Sequence, residues 1–417
     1  MQKKKCLGIA LVAVAALTLS ACSGGDSGGG GTDSGPTKIS FAYWGNNSES
    51  ATIESMVKAF EKANPDIDVQ LNWIQSDYEQ KLKISIAGGT QPTVAQINNY
   101  TLSGFSAAFE TIDADNSAYY NDDVLKGMKV KGEVKAIPYV AKAKVMAINT
   151  KVFEAAGVEV PPADKVLSID EFQALAKRLT SGSGNKKVFG SSQLWYYNWL
   201  VTSGGGVFNA DEKRCTLNTP VAVKAAEDVI ASQAANGFAP TSLDVEGQDM
   251  FDWLSIGRLA MLPDVGPWDI PKLVEKNDPN IKLMPAPGKG QPMEVTGLGI
   301  SAKATKEERK AATTFTKFMS TSPDAQGLLT TKEASLGLPV IEASLEKVPA
   351  IAPELNLAVY VKSAKESVVL TGLKDPTFEG QLAKALLDRT ALGAGHEDPA
   401  VVLAEFNEKC QSLLDEK

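Results

Sequence analysis

Histidine sets the first limit on what chemistry this chain can do. Its 417 residues include one, His396, in the turn-like stretch Gly393-Ala394-Gly395-His396-Glu397-Asp398-Pro399. Ser-His-Asp and Cys-His catalysis need an imidazole poised beside a nucleophile, and a His-rich metal site needs several. A solvated loop histidine supplies neither. Gly204-Gly205-Gly206 lacks the spacing of a dinucleotide loop, and no GxxxxGK(S/T) phosphate loop occurs. The reading is therefore no catalytic residues, no metal and no cofactor. Carboxylates outnumber cations, with 50 Asp and Glu against 42 Lys and Arg. An acidic surface disfavours nucleic acid as a partner. It leaves room for a carboxylate pair of the glycosidase kind, although no pair is marked out.

Flat rings and polar side chains remain. A ligand with apolar faces and a rim of hydroxyls needs aromatic platforms beside amides, hydroxyls or charges. The chain has six tryptophans. Trp44 ends the alternating run Ile39, Phe41, Tyr43 and is followed by Asn46 and Asn47. Trp268 follows Gly266-Pro267, a turn that fixes where its ring points, and Asp264 lies in the same loop. Trp195 and Tyr196 open an aromatic cluster before Gly204. Asn98, Asn99 and Tyr100 follow the apolar run 94–97, and Tyr78 follows a second alternating run. Trp73 and Trp253 sit in core-like patterns.

The elements that carry these residues alternate along the chain. Ile53, Met56, Val57 and Phe60 form one helix face, stopped by Asn64-Pro65. Ile67, Val69, Leu71 and Trp73 then alternate as a strand. Ser168 with Glu171, and Thr305 with Glu308, form capping boxes ahead of further helical patterns. Strand, helix, strand predicts an α/β sheet, and the length suits two domains. At the N-terminus, Lys3 to Lys5 precede an apolar run from Leu7 to Leu19, too short for a permanent span. This reads as a secretory signal over residues 1–21. Leu19-Ser20-Ala21-Cys22 resembles the bacterial lipobox, with Cys22 as the lipidation site. Residues 22–37 then form a Gly/Ser-rich tether without a core residue. Cys215 and Cys410 could pair in an oxidising exterior or remain free.

Five ordered segments resemble the extracellular solute-binding proteins of ABC importers, in the maltose- and multiple-sugar-binding family. They are 41–46 with the helix ending at Pro65, Ala136-Ile137-Pro138-Tyr139 with 145–157, 257–261 running to Gly266-Pro267-Trp268, Gly297-Leu298-Gly299-Ile300-Ser301 with 315–319, and Gly337-Leu338-Pro339-Val340. The resemblance implies a two-lobed periplasmic-binding-protein-like (type II) α/β fold, with lobes 38–141 plus 299–341 and 142–298 plus 342–417. Crossings fall near 140–144, 296–299 and 339–344. It further implies a cleft that binds a sugar or short oligosaccharide, with Trp268 stacking and Tyr139, Lys142 and Gly297 nearby. A monomer anchored to the membrane only by its lipid would deliver that ligand to permease subunits, outside the cytoplasm. Lys142 stands where maltose-type relatives carry an acid, which argues against a plain malto-oligosaccharide and towards an anionic or N-acetylated sugar. An exported glycosidase and a sensor module are the rival readings.

Overall fold

The computed structural model describes residues 35–417 except 210, 235, 242–243, 376, 391–394 and 416–417. The leader, Cys22 and most of the tether lie outside the described residues.

Eleven strands run in chain order: β1 (Thr37–Tyr43), β2 (Ile67–Trp73), β3 (Val94–Asn98), β4 (Lys129–Val130), β5 (Glu133–Val134), β6 (Ile137–Lys142), β7 (Val145–Asn149), β8 (Met261–Val265), β9 (Ile281–Met284), β10 (Pro292–Ile300) and β11 (Val368–Val369). The larger sheet has the order β11-β10-β3-β1-β2, with β6 on β10. β1 is parallel to β2 and β3, as a strand-helix-strand opening requires. β10 enters antiparallel between β3 and β6. The smaller sheet is β8-β7-β9, antiparallel throughout.

The helix Asn47–Ala63 buries Ile53, Met56, Val57 and Phe60, the face its spacing predicts. The helix Lys306–Thr321 brings Phe315 against Phe41 and Phe60, with ring centroids 5.3 and 5.1 Å apart. These residues form the core behind the larger sheet. A second core lies behind the smaller sheet, built by the helices Ile169–Leu179, Tyr196–Thr202, Pro220–Gln233, Phe378–Arg389 and Pro399–Asp415. Both predicted capping boxes form, at Ser168/Glu171 and Thr305/Glu308. A third core, including Ile97, Val145, Leu262, Val295 and Tyr360, runs from one sheet to the other.

The chain changes sheets abruptly. β6 ends at Lys142 in the larger sheet and β7 begins at Val145 in the smaller one. It returns between β9 and β10. Leu338 lies antiparallel against Ala141, with backbone bonds of 2.7 and 3.0 Å, so a third segment runs beside β6. Gly337 allows that approach: its φ is +153°, and a Cβ there would collide with Val140. Cys215 and Cys410, open to either state by sequence, are disulfide-bonded, with Cα atoms 6.1 Å apart. The bond ties the C-terminal helix to the Phe208/Cys215 bridge.

Candidate functional site

The site begins where β1 ends. Gly45 follows Trp44, and its carbonyl accepts a hydrogen bond of 2.9 Å from the Trp73 indole. Trp44 is half-buried and packs on Tyr78, centroids 4.9 Å apart. The Tyr78 hydroxyl donates to the carbonyls of Ala42 and Gln96, which fixes the ring under Trp44. Lys142, at the end of β6, carries its ammonium 5.9 Å above the Trp44 ring. The same ammonium pairs with Glu294 of β10 at 3.0 Å. Burial works against the Lys142 charge, but Glu294 outweighs it and holds the ammonium pKa above the usual value.

A second pair lies two residues along the chain. Lys144 meets Asp264 of β8 at 2.7 Å, and the Asn198 amide donates to the same carboxylate at 3.2 Å. Trp195, Asn198 and Asp264 line one small hollow of about 20 Å³. Trp268 sits in the turn Pro267–Asp269, half-buried. Its ring lies on Gly266, where any Cβ would strike the indole, so glycine sets the ring's seat. Burial pushes the Asp269 carboxyl up to about 6, against the bond it accepts from the Gly266 N–H.

Glu379 joins the two ends. It stands exposed in the first turn of the helix Phe378–Arg389 and lines a hollow with Tyr100 and Tyr197. Loss of solvation there, with Glu294 nearby, pushes its carboxyl up to about 7, while Lys144 pulls the other way. Tyr100 shares this environment: burial, then Glu294 and Glu379, push its phenol well up. The cleft floor thus combines carboxylates that accept, ammonium groups that donate and aromatic faces, the set that a polyhydroxylated ring requires.

Of the expected residues, Trp44 and Lys142 meet, Tyr100 lies near Glu294 and Glu379, and Trp195 and Asp264 line one hollow, while Trp268 is half-buried in the turn after Asp264 and Asn47 is exposed in the first helical turn after Trp44. Other expected contacts have structural duties. Asn46 caps the helix after Trp44, accepting from the Ser48 and Glu49 N–H groups. Asn98 closes the turn to Thr101. Asn99 is buried, donating to Leu370 and accepting from Val295. Tyr139 is fully buried, its hydroxyl on Gln96. Tyr196 turns into the core because it opens a helix whose inner face it shares with Trp199. Gly297 lies inside the sheet under Met128. These correct the expectation that Tyr78, Asn99, Tyr139, Tyr196 and Gly297 face a ligand: each is buried, and the polar groups of the first three are spent inside the protein. Lys142 is also reassigned. Glu294 already neutralises it, so the charge that suggested an anionic sugar is not free.

Sequence reading missed Lys144, Tyr197, Asn198, Glu294 and Glu379. Glu294 was the most accessible of these, as one carboxylate between Met293 and Val295 in an otherwise apolar strand. Glu379 looks like any acidic residue in a first helical turn, which the helix dipole favours everywhere. Tyr197 and Asn198 follow from the turn of the helix that takes Tyr196 inward. Trp253 and Trp73 behave as read: Trp253 is buried, stacked on Phe189, and Trp73 packs against the core behind the larger sheet. His396 is exposed in irregular structure.

The comparisons with known proteins agree with this architecture. The multiple sugar-binding protein of Streptococcus mutans is 22% identical over 340 residues, 75% of this chain and 78% of its own length. The ABC substrate-binding protein Lmo0181 of Listeria monocytogenes, solved in complex with cycloalternan, superposes with a TM-score of 0.77 at 25% identity, covering 91% of this chain and 99% of that one. The GacH receptor of Streptomyces glaucescens, solved unliganded and with acarbose, gives 0.73 at 22% identity over 91% and 99%. The two-lobed type II fold is therefore the fold of this chain, and relatives of this kind are binding proteins, not enzymes. The model of the bacterial extracellular solute-binding proteins matches residues 44–326, more than half of the chain, and the protein belongs to that family.

Proposed function

We propose that the protein captures a sugar or short oligosaccharide outside the cytoplasm and hands it to the permease of an ABC importer, held at the membrane by a lipid on Cys22. The observation that carries the carbohydrate reading is the set at the cleft floor: Trp44 under the Lys142–Glu294 pair, the Lys144–Asp264 pair, and Trp268 in the loop that follows Asp264. A pyranose offers C–H faces to the indoles and hydroxyls to both kinds of charge. The ligands with which the two structural neighbours were solved, cycloalternan and acarbose, are of the same class. The lobes proposed are those expected, 38–141 plus 299–341 and 142–298 plus 342–417, with the return crossing moved from 296–299 to 285–291, because β10 lies wholly in the larger sheet. Glu294 lies near Glu379, whose carboxyl is pushed up to about 7, so an acid–base pair of the glycosidase kind is the second reading. Family membership favours their use as acceptor and donor to hydroxyls without bond cleavage.

Calorimetry against a panel of sugars tests the reading. Trp268→Ala is expected to weaken the best ligand by about 2 kcal/mol, as for a buried aromatic anchor, with little change in melting temperature. A variant that melts far lower but binds normally would make Trp268 a core residue instead. The anchor rests on Leu19 to Cys22 and the core-less tether after it. Cys22→Ser should shift the protein from the membrane fraction to the soluble one, and unchanged partitioning would remove the anchor.

A further inference from the structure

We propose that the hollow at the base of the cleft, between Tyr100, Tyr197, Phe378 and Glu379, receives a protonated amino group, so that the solute is an amine-bearing sugar. This rests on the carbohydrate reading and narrows it. The hollow is small, about 40 Å³. That suits one substituted end of a ligand, not a whole oligosaccharide.

The charges decide which substituent. Both nearby lysines are committed, Lys142 to Glu294 and Lys144 to Asp264. Asp375, the other acid lining the hollow, accepts from the Thr377 N–H and hydroxyl and from Gln381. Glu379 makes no hydrogen bond or ion pair to protein among the described residues. Glu294 faces it from β10 and Lys144 from the β6–β7 crossing, and the Tyr100 and Tyr197 phenols lie on its other sides. Two further groups are unmet: the Tyr197 hydroxyl and the Thr371 hydroxyl are buried without a partner. An anionic group would add a like charge beside Glu294 and Glu379. A neutral hydroxyl could satisfy Tyr197 but would leave a carboxylate uncompensated. An ammonium has three donors and no acceptor. Its three donors match the three unmet groups that line the hollow, Glu379, Tyr197 and Thr371, and the aromatic rings beside them attract cations. An arriving ammonium favours the charged form of the Glu379 carboxyl, which burial and Glu294 otherwise disfavour.

The test is calorimetry on the whole protein with disaccharides of α and β linkage, each paired with the analogue that carries an amine in place of one hydroxyl. The expected result is at least tenfold tighter binding of the amine in one pair at pH 7.5. Glu379→Gln should abolish that preference, bringing the amine and its neutral partner to within about threefold of each other. Tyr197→Phe, which keeps the ring, should weaken the amine alone and guards against a folding defect in the first variant. Neutral members binding as well as amines in every pair that binds would overturn this inference and leave the carbohydrate reading standing. Binding by no member of any pair would overturn both.

Discussion

Glu379 couples the site to stability. Reduced solvation, then Glu294, raise its carboxyl from 4.5 to about 7. A carboxyl with a raised folded pKa keeps a proton that the unfolded chain has already lost. Between about pH 4.5 and 7 the native state therefore binds more protons, and stability falls as pH rises. A shift of this size corresponds to roughly 3 kcal/mol at most. Because the side chain is open to the cleft, solvent screening cuts this to about 1 kcal/mol. Without ligand, the loss of stability from pH 5.5 to 8 should be about 1 kcal/mol smaller in Glu379→Gln than in the parent, by chemical denaturation at both pH values. Identical losses would mean that Glu379 titrates normally. The same residue shows why half of the site was hidden in the sequence. Six tryptophans can be weighed one by one, and Trp44 and Trp268 stood out by their turns. Fifty carboxylates cannot, because what distinguishes Glu379 and Glu294 is the approach of chain segments 85 residues apart.

Local rules placed the elements well. Alternation marked β1 and β2, and the 3.6-residue period marked the helix Asn47–Ala63, because each depends on neighbours along the chain. β10 was harder, since its place between β3 and β6 follows from pairing with residues about 150 and 200 positions away. Asn46 illustrates how an element can claim a residue that looks like a ligand contact. It follows Trp44 at the mouth of the site, yet its side chain accepts from Ser48 and Glu49 while Glu49 accepts from its own N–H. Asn46→Ala should cost about 1 kcal/mol of stability, the usual value of an N-cap. Ligand affinity should stay within about twofold. A tenfold loss of affinity with unchanged melting would return Asn46 to the binding surface. Asn and Ser runs before helices are ambiguous for this reason: the side chains that cap a helix are also those that bind hydroxyls.

At the scale of the whole molecule, the crossings govern how the cleft works. Only Ala143 and Lys144 separate β6 from β7, the return runs through 285–291, and the third segment lies against β6 at Leu338. Short, parallel crossings let two rigid bodies rotate with changes confined to a few dihedral angles. Lys144 sits at such a crossing and holds Asp264, so the hinge is joined by one ion pair to the loop that leads to Trp268. A solute that contacts Trp44 from one lobe and Trp268 from the other binds more tightly when the lobes close, and the equilibrium shifts by that difference. The disulfide Cys215–Cys410 stays within the core behind the smaller sheet and does not bridge the crossings, so it leaves this rotation free. The radius of gyration of the folded body, roughly 21 Å for a compact chain of this size, should fall by a few per cent on saturation with ligand, measured by small-angle scattering. The same decrease should be absent in Trp268→Ala at a concentration of ligand that saturates only the parent. An unchanged radius in the parent, with binding proven by calorimetry, would mean that the cleft is rigid and that the ligand is held by a preformed site.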